Sequence, residues 1–225
     1  MGQGMDQSLV DMCDMRSAAD RVESQMLGCL VRQAGAVLTG TKPSALFNLV
    51  PRDDHGRAPQ DGLLRMAERC VDVYAEKTRA YGVELVELGI LGGRLSLFAY
   101  RARAIDCLLA DGGAAGFLID HGYGPDLSTV DVVDTFVRRM RAYQSGTAGF
   151  PHEVGLLLGY PLQDVEGFIV NGGANASACG LWKAYGDVTC ARRRLDRARE
   201  EERRASELYV NGWSLRQILR IGVTS

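Results

Sequence analysis

The stretch 83–101 constrains this chain more than any other. Val83, Leu85 and Ile90 alternate with Glu84 and Glu87, Gly92-Gly93 follows, and then Leu95, Leu97 and Ala99 alternate with Ser96, Phe98 and Tyr100. A period of two on both sides of a glycine pair predicts an antiparallel hairpin, because glycine enters the left-handed backbone of a two-residue turn without a steric penalty. A lone hairpin is marginal in water, so the rest of the chain has to cover it.

Most of that remainder has helical spacing. Val22, Met26, Cys29 and Leu30 share a side of a helix over 18–33, and Leu64, Ala67, Val71, Tyr74 and Ala75 share a side over 60–81. Two short helices, 102–110 and 114–121, are broken at Gly112-Gly113. A longer one begins at Asp126 or Ser128 and runs to Tyr143 through Val132, Val133, Phe136, Val137 and Met140. Asp187 caps a helix over 188–209, and 213–221 forms the last. Further strands are expected at 36–39 and 179–185, beside the hairpin, with a short helix over 45–50. The expected class is α+β and helix-rich, with a small, mostly antiparallel sheet of about four strands covered by helices. Residues 1–15 lack periodicity and are expected to be a loose N-terminus, with 16–225 one α+β domain.

Composition narrows the function. The 26 basic and 28 acidic side chains nearly balance, against a globally basic nucleic-acid binder. Six cysteines without a Cys-x-x-Cys pair suggest free thiols in a reducing cytoplasm. Asp6, Asp11 and Asp14 interrupt the N-terminus, which lacks a signal-peptide pattern, and no apolar run is long enough to span a bilayer. There is no Gly-Lys-Ser/Thr phosphate loop, no Gly-x-Ser-x-Gly and no paired-histidine zinc helix. Asp53-Asp54-His55 lies in a polar segment and reads as a solvated loop, not a metal site.

The densest local signals lie in 149–172. Pro151 suits a helix start, Gly159 a stop and Pro161 a second start, so two short helices form a corner. Val154, Leu157 and Leu158 make one apolar face; Val165, Phe168 and Ile169 make the next. His152 near a helix start has two readings, a packing ring or a ligand and proton-transfer residue. In outline the corner is a helix-turn-helix, but Asp164 and Glu166 on its second helix would repel phosphates, so nucleic acid is disfavoured. The Arg-rich run 192–204 is interrupted by Asp196, Glu200, Glu201 and Glu202 and reads as a solvated face.

Four blocks then carry a resemblance: Gly40-Thr41-Lys42-Pro43-Ser44-Ala45-Leu46-Phe47, the stretch from Phe150-Pro151-His152-Glu153 to Phe168-Ile169, Gly180-Leu181-Trp182-Lys183-Ala184-Tyr185-Gly186-Asp187, and Phe98-Ala99-Tyr100-Arg101. Together they resemble the bacterial family catalogued as domain of unknown function 3793. The resemblance implies a cytoplasmic protein, with flavodoxin-related or iron-related partners, and no particular reaction or cofactor. One departure shows: the cysteine expected shortly before the Lys-Pro block is here Ala34, so any chemistry of that thiol would be missing.

The candidate ligand-binding residues are Lys42, His152, Glu153, Lys183 and Tyr185, each at the end of an expected element, where sites tend to be built. The two lysines suit an anionic group; His152 with Glu153 suits proton transfer or a metal or haem. The expected function is a small-molecule, metal or cofactor-handling protein with its site near the Phe-Pro-His-Glu corner. The alternative is a protein-interaction or regulatory module that uses the 188–209 helix as its contact.

Overall fold

In the computed structural model, residues 4–57, 61–179 and 183–223 are described, with side chains throughout except at 4–15 and 178–179. The hairpin forms as the alternation requires. β2 (Glu84–Leu91) and β3 (Arg94–Tyr100) pair antiparallel, with Leu91 opposite Arg94. Gly92 and Gly93 turn the chain at φ 56° and 74°, the doubly left-handed geometry whose twist matches the strands. The register slips once, between Glu87 and Gly89, and the extra residue, Leu88, is fully buried.

β3 is the central strand. Its free edge takes β1 (Ser44–Leu49), antiparallel, with Ser44 opposite Tyr100 and Leu49 opposite Leu95. This replaces the helix expected over 45–50. Ala45, Phe47 and Leu49 are buried on one face while Leu46 half-buries on the other, and six mostly apolar residues are too few for their spacing to distinguish strand from helix. The strand expected at 36–39 is also overturned: Ala36, Val37 and Leu38 close α1 (Gly4–Leu38). Leu30, Val31, Ala34, Ala36, Val37 and Leu38 are all fully buried. A helix end covered on several sides loses the polar spacing that would identify it.

The sheet is covered on both faces. Ala45, Phe47, Leu49, Leu85, Leu95, Leu97 and Ala99 face α1, α2 (Asp61–Arg79), α8 (Val188–Val210) and α9 (Leu215–Ile221). Leu88, Phe98 and Tyr100 face a second cluster built by α3 (Ala102–Leu109), α4 (Gly112–Asp120), α5 (Thr129–Gln144), α6 (Val154–Leu157) and α7 (Leu162–Val170). Phe98 packs at a tilt against Phe136 of α5, ring centroids 4.9 Å apart and planes at 60°. The fold is therefore α+β with a three-stranded antiparallel sheet.

Helix starts follow local chemistry. Asp111, Ser128, Asp187 and Ser214 accept hydrogen bonds from backbone N–H groups as N-caps of α4, α5, α8 and α9. Gly112-Gly113 opens α4 rather than separating it from α3. The expected strand at 179–185 becomes a separate two-stranded ladder, β4 (Ala178–Cys179) with β5 (Lys183–Ala184). It does not join the hairpin sheet, and Trp182 lies outside the described residues.

Candidate functional site

The block around Lys42 is fixed from behind. After α1 ends, Gly40 adopts φ 84°, and the N–H groups of Thr41 and Lys42 both donate to the Ala36 carbonyl, at 2.8 and 3.0 Å. Arg101, just past β3, donates through its guanidinium to the Val37 and Leu38 carbonyls at 2.7 Å each, neutralising the negative end of α1. Its backbone N–H donates to Pro43 O.

The corner of α6 and α7 then docks on this block. The Ser44 hydroxyl donates to Leu157 O at 2.6 Å. Gly159, at φ 86°, brings the link between the two helices so close that a Cβ there would lie 2.8 Å from Pro43 Cγ. On the opposite side α8 crosses α1 at Gly35, where a Cβ would meet Ala205 Cβ at 2.8 Å and Glu202 Cα at 3.2 Å. These two close approaches frame a cleft of about 370 Å³. Pro43, Leu158, Pro161 and Leu195 give it apolar walls; Lys42, Tyr160, Glu202, Arg194, Arg197 and Arg199 give it polar ones.

The partly buried charges in this cleft act on one another at long range rather than through an ion pair. Burial lowers the Lys42 pKa, with Glu202 opposing. Burial raises that of Glu202, with Lys42 and Arg199 opposing, and raises that of the Tyr160 phenol, assisted by the Glu202 charge. Among the described residues neither Lys42 nor Arg194, Arg197 or Arg199 makes an ion pair. Further along α8 the pattern differs: Arg203 binds Glu200 and Glu207, and Arg204 binds Glu201.

The other residues singled out in the sequence go elsewhere. Glu153 turns inward and is 5% exposed. It accepts from Arg139 Nη1 at 2.5 Å and from the Tyr123 hydroxyl at 3.1 Å. Arg139 lies over the Tyr123 ring and donates its other nitrogen to His121 O. Burial, followed by the Glu153 charge, pushes the Tyr123 phenol well above the ordinary range. His152 faces solvent between Phe150 and Phe168, with centroids 5.3 and 5.0 Å away. Lys183 donates to Gly173 O. Tyr185 lies against Gly167, and its hydroxyl donates to Ala174 O at 2.7 Å. Of the five, only Lys42 lines the cleft; His152, Lys183 and Tyr185 gather around α7 instead.

The sequence reading passes over several residues that the structure brings forward. Glu202 and the three arginines hide in an alternating charge run that reads as a solvated face, and only the α1–α8 crossing shows which members line the cleft. Asp164 is 1% exposed; its Oδ1 accepts from the N–H groups of Tyr185 and Gly186, both at 2.8 Å, and its Oδ2 has no hydrogen-bond partner among the described residues. Tyr123 and Arg139, like Asp164, owe their roles to contacts distant in sequence. The Asp53 loop closes on itself, Asp53 accepting from the N–H groups of His55 and Arg57. Cys29, Cys70, Cys107 and Cys190 are unpaired. No described helix is long and apolar enough to cross a membrane.

No curated protein and no solved structure matches the chain. A family model does, over residues 30–219, a span that takes in the Lys42 block, the α6–α7 corner and α8 up to its end. The chain belongs to the family described as "Protein of unknown function (DUF3793)".

Proposed function

We propose that the protein binds a small anionic molecule with an apolar body, in the cleft between the Lys42 block and α8. The observation that carries this reading is the charge balance of that cleft: one half-buried ammonium and three exposed guanidinia, none in an ion pair among the described residues, against the single carboxylate of Glu202. Unpaired cations beside apolar walls favour a ligand that supplies negative charge and buries carbon. A reducing, cytoplasmic location suits the unpaired thiols. The interaction-module alternative has less support, because the exposed part of α8 beyond the cleft satisfies its own charges through i,i+3 and i,i+4 pairs.

Anilinonaphthalene sulfonate, an anionic aromatic dye, tests the reading by fluorescence titration. The expected result is one saturable site per chain, weakened by salt. Lys42→Gln should weaken it about tenfold, the scale of one charge-assisted hydrogen bond. Equal affinity for the native chain, Lys42→Gln and Arg199→Gln would overturn the reading.

A further inference from the structure

We propose that Lys42 is a carbonyl-reactive amine that forms an imine with an aldehyde or ketone bearing an anionic group, a proposal that rests on the anion-binding reading of the same cleft. It begins with which cation stands where. Of the 26 basic side chains only three are lysines, Lys42, Lys77 and Lys183, leaving 23 arginines. Two of the three have ordinary employment. Lys77 is exposed, pairs with Glu23 at 3.3 Å and lies over the Tyr74 ring; Lys183 donates to Gly173 O. The Lys42 ammonium makes no hydrogen bond or ion pair among the described residues.

An arginine would grip an anion at this position at least as well, since its planar fork matches carboxylate and phosphate. What arginine cannot do is shed its proton and attack a carbon. Lysine can, once its surroundings depress the charged form. Pro43, Leu158 and Pro161 form an apolar wall of the same cleft, and burial lowers the Lys42 pKa. Arg194, Arg197 and Arg199 stand exposed on the α8 side of the cleft and can hold the anionic end of a substrate. Glu202 opposes the lowering of the Lys42 pKa, and with the Tyr160 hydroxyl it completes the titratable groups of the cleft.

The step balances without a further reactant. The neutral Lys42 nitrogen uses its lone pair to form a bond to the carbonyl carbon, and the C=O π pair moves to oxygen. The Glu202 carboxyl, kept protonated more readily by burial, gives that oxygen a proton. The Glu202 carboxylate then takes a proton from nitrogen and returns it to the hydroxyl, which leaves as water while the nitrogen lone pair forms C=N. The sum is amine, carboxylic acid and carbonyl giving iminium, carboxylate and water, with no change in net charge or oxidation level.

Pyridoxal phosphate, an aldehyde with one phosphate group, is the probe. It is mixed in equimolar amount with the full chain, reduced with borohydride, and the secondary amine located by peptide mass spectrometry. Lys42 is expected to carry the adduct, ahead of Lys77, Lys183 and the N-terminal amine. A lowered pKa enlarges the neutral, reactive fraction at neutral pH, so Lys42 should carry the majority of the adduct. The pH midpoint of Lys42 labelling should lie below that of an ordinary lysine. Lys42→Arg should remove most of the chain's total adduct, whereas Lys77→Arg should leave labelling of Lys42 unchanged. Labelling led by Lys77, or absent from Lys42, in a chain that still binds the dye would overturn the imine and leave the anion site standing. A native chain that binds neither dye nor pyridoxal phosphate would overturn both.

Discussion

Tyr123, Glu153 and Arg139 lie together beneath the α6–α7 corner; Tyr160, Glu202 and Lys42 lie together at its rim. Each group has a phenol, a carboxylate and a cation, yet the two behave oppositely. The inner trio is closed: Glu153 takes two hydrogen bonds on one oxygen, and Arg139 divides its nitrogens between that carboxylate and a backbone carbonyl. The rim trio opens onto a cleft, and its ammonium has no hydrogen-bonded partner among the described residues. A buried charge needs compensation by pairing. Where the fold supplies it, the cluster is architecture; where it does not, a ligand can.

The comparison is tested hardest by removing the inner carboxylate. Glu153→Ala strands Arg139 and the Tyr123 hydroxyl, and breaking a buried pair of this kind costs about 3 kcal/mol. Urea unfolding should show that loss, while any dye-binding fraction that remains folded keeps its native affinity. Gly159→Val comes next. A side chain at φ 86° against Pro43 should cost about 2 kcal/mol and also weaken the dye, because the clash displaces one wall of the cleft. Lys42→Gln should reverse the Glu153→Ala pattern, with a stability change within about 0.5 kcal/mol and a clear loss of dye affinity.

The smallest effect is a pH dependence. Burial holds Glu202 above the ordinary carboxylate range, so between the unfolded and folded pKa values the native chain keeps a proton that the unfolded chain has lost. Stability from this group is complete below the unfolded value and is lost as pH rises through the folded one. Urea midpoints measured from about pH 4 to about pH 7 should therefore fall less steeply for Glu202→Gln than for the native chain. An identical slope for both would remove Glu202 from the set of strained charges.

Much of the architecture is legible without coordinates, because it follows from local rules. The glycine pair defines the hairpin turn, Asp187 and Ser128 cap their helices, and Gly159 ends its helix in the left-handed region. The errors come where local pattern is silent. Residues 36–38 and 44–49 are both short apolar runs, and only the free edge of β3 decides that the second is the strand. The site fares worse for a related reason. His152, Lys183 and Tyr185 stand out as chemically able residues, but Phe150, Phe168, Gly173 and Ala174 absorb them. Lys42 is legible as a cation at an element end; its cleft-mates Tyr160 and Glu202 are not, since they meet it only where α8 crosses α1 and Gly159 admits Pro43.

The double anchoring of the Lys42 backbone has a consequence for selectivity. Ala36 O grips it on one side and Arg101 N on the other through Pro43, so the root of the side chain is fixed while the amine still swings on a four-carbon stem. The guanidinia across the gap ride on long, rotatable stems. On the proposed reading the cations can adjust to anions of differing length, and discrimination falls to the apolar walls, whose backbone is held at Pro43 and Gly159.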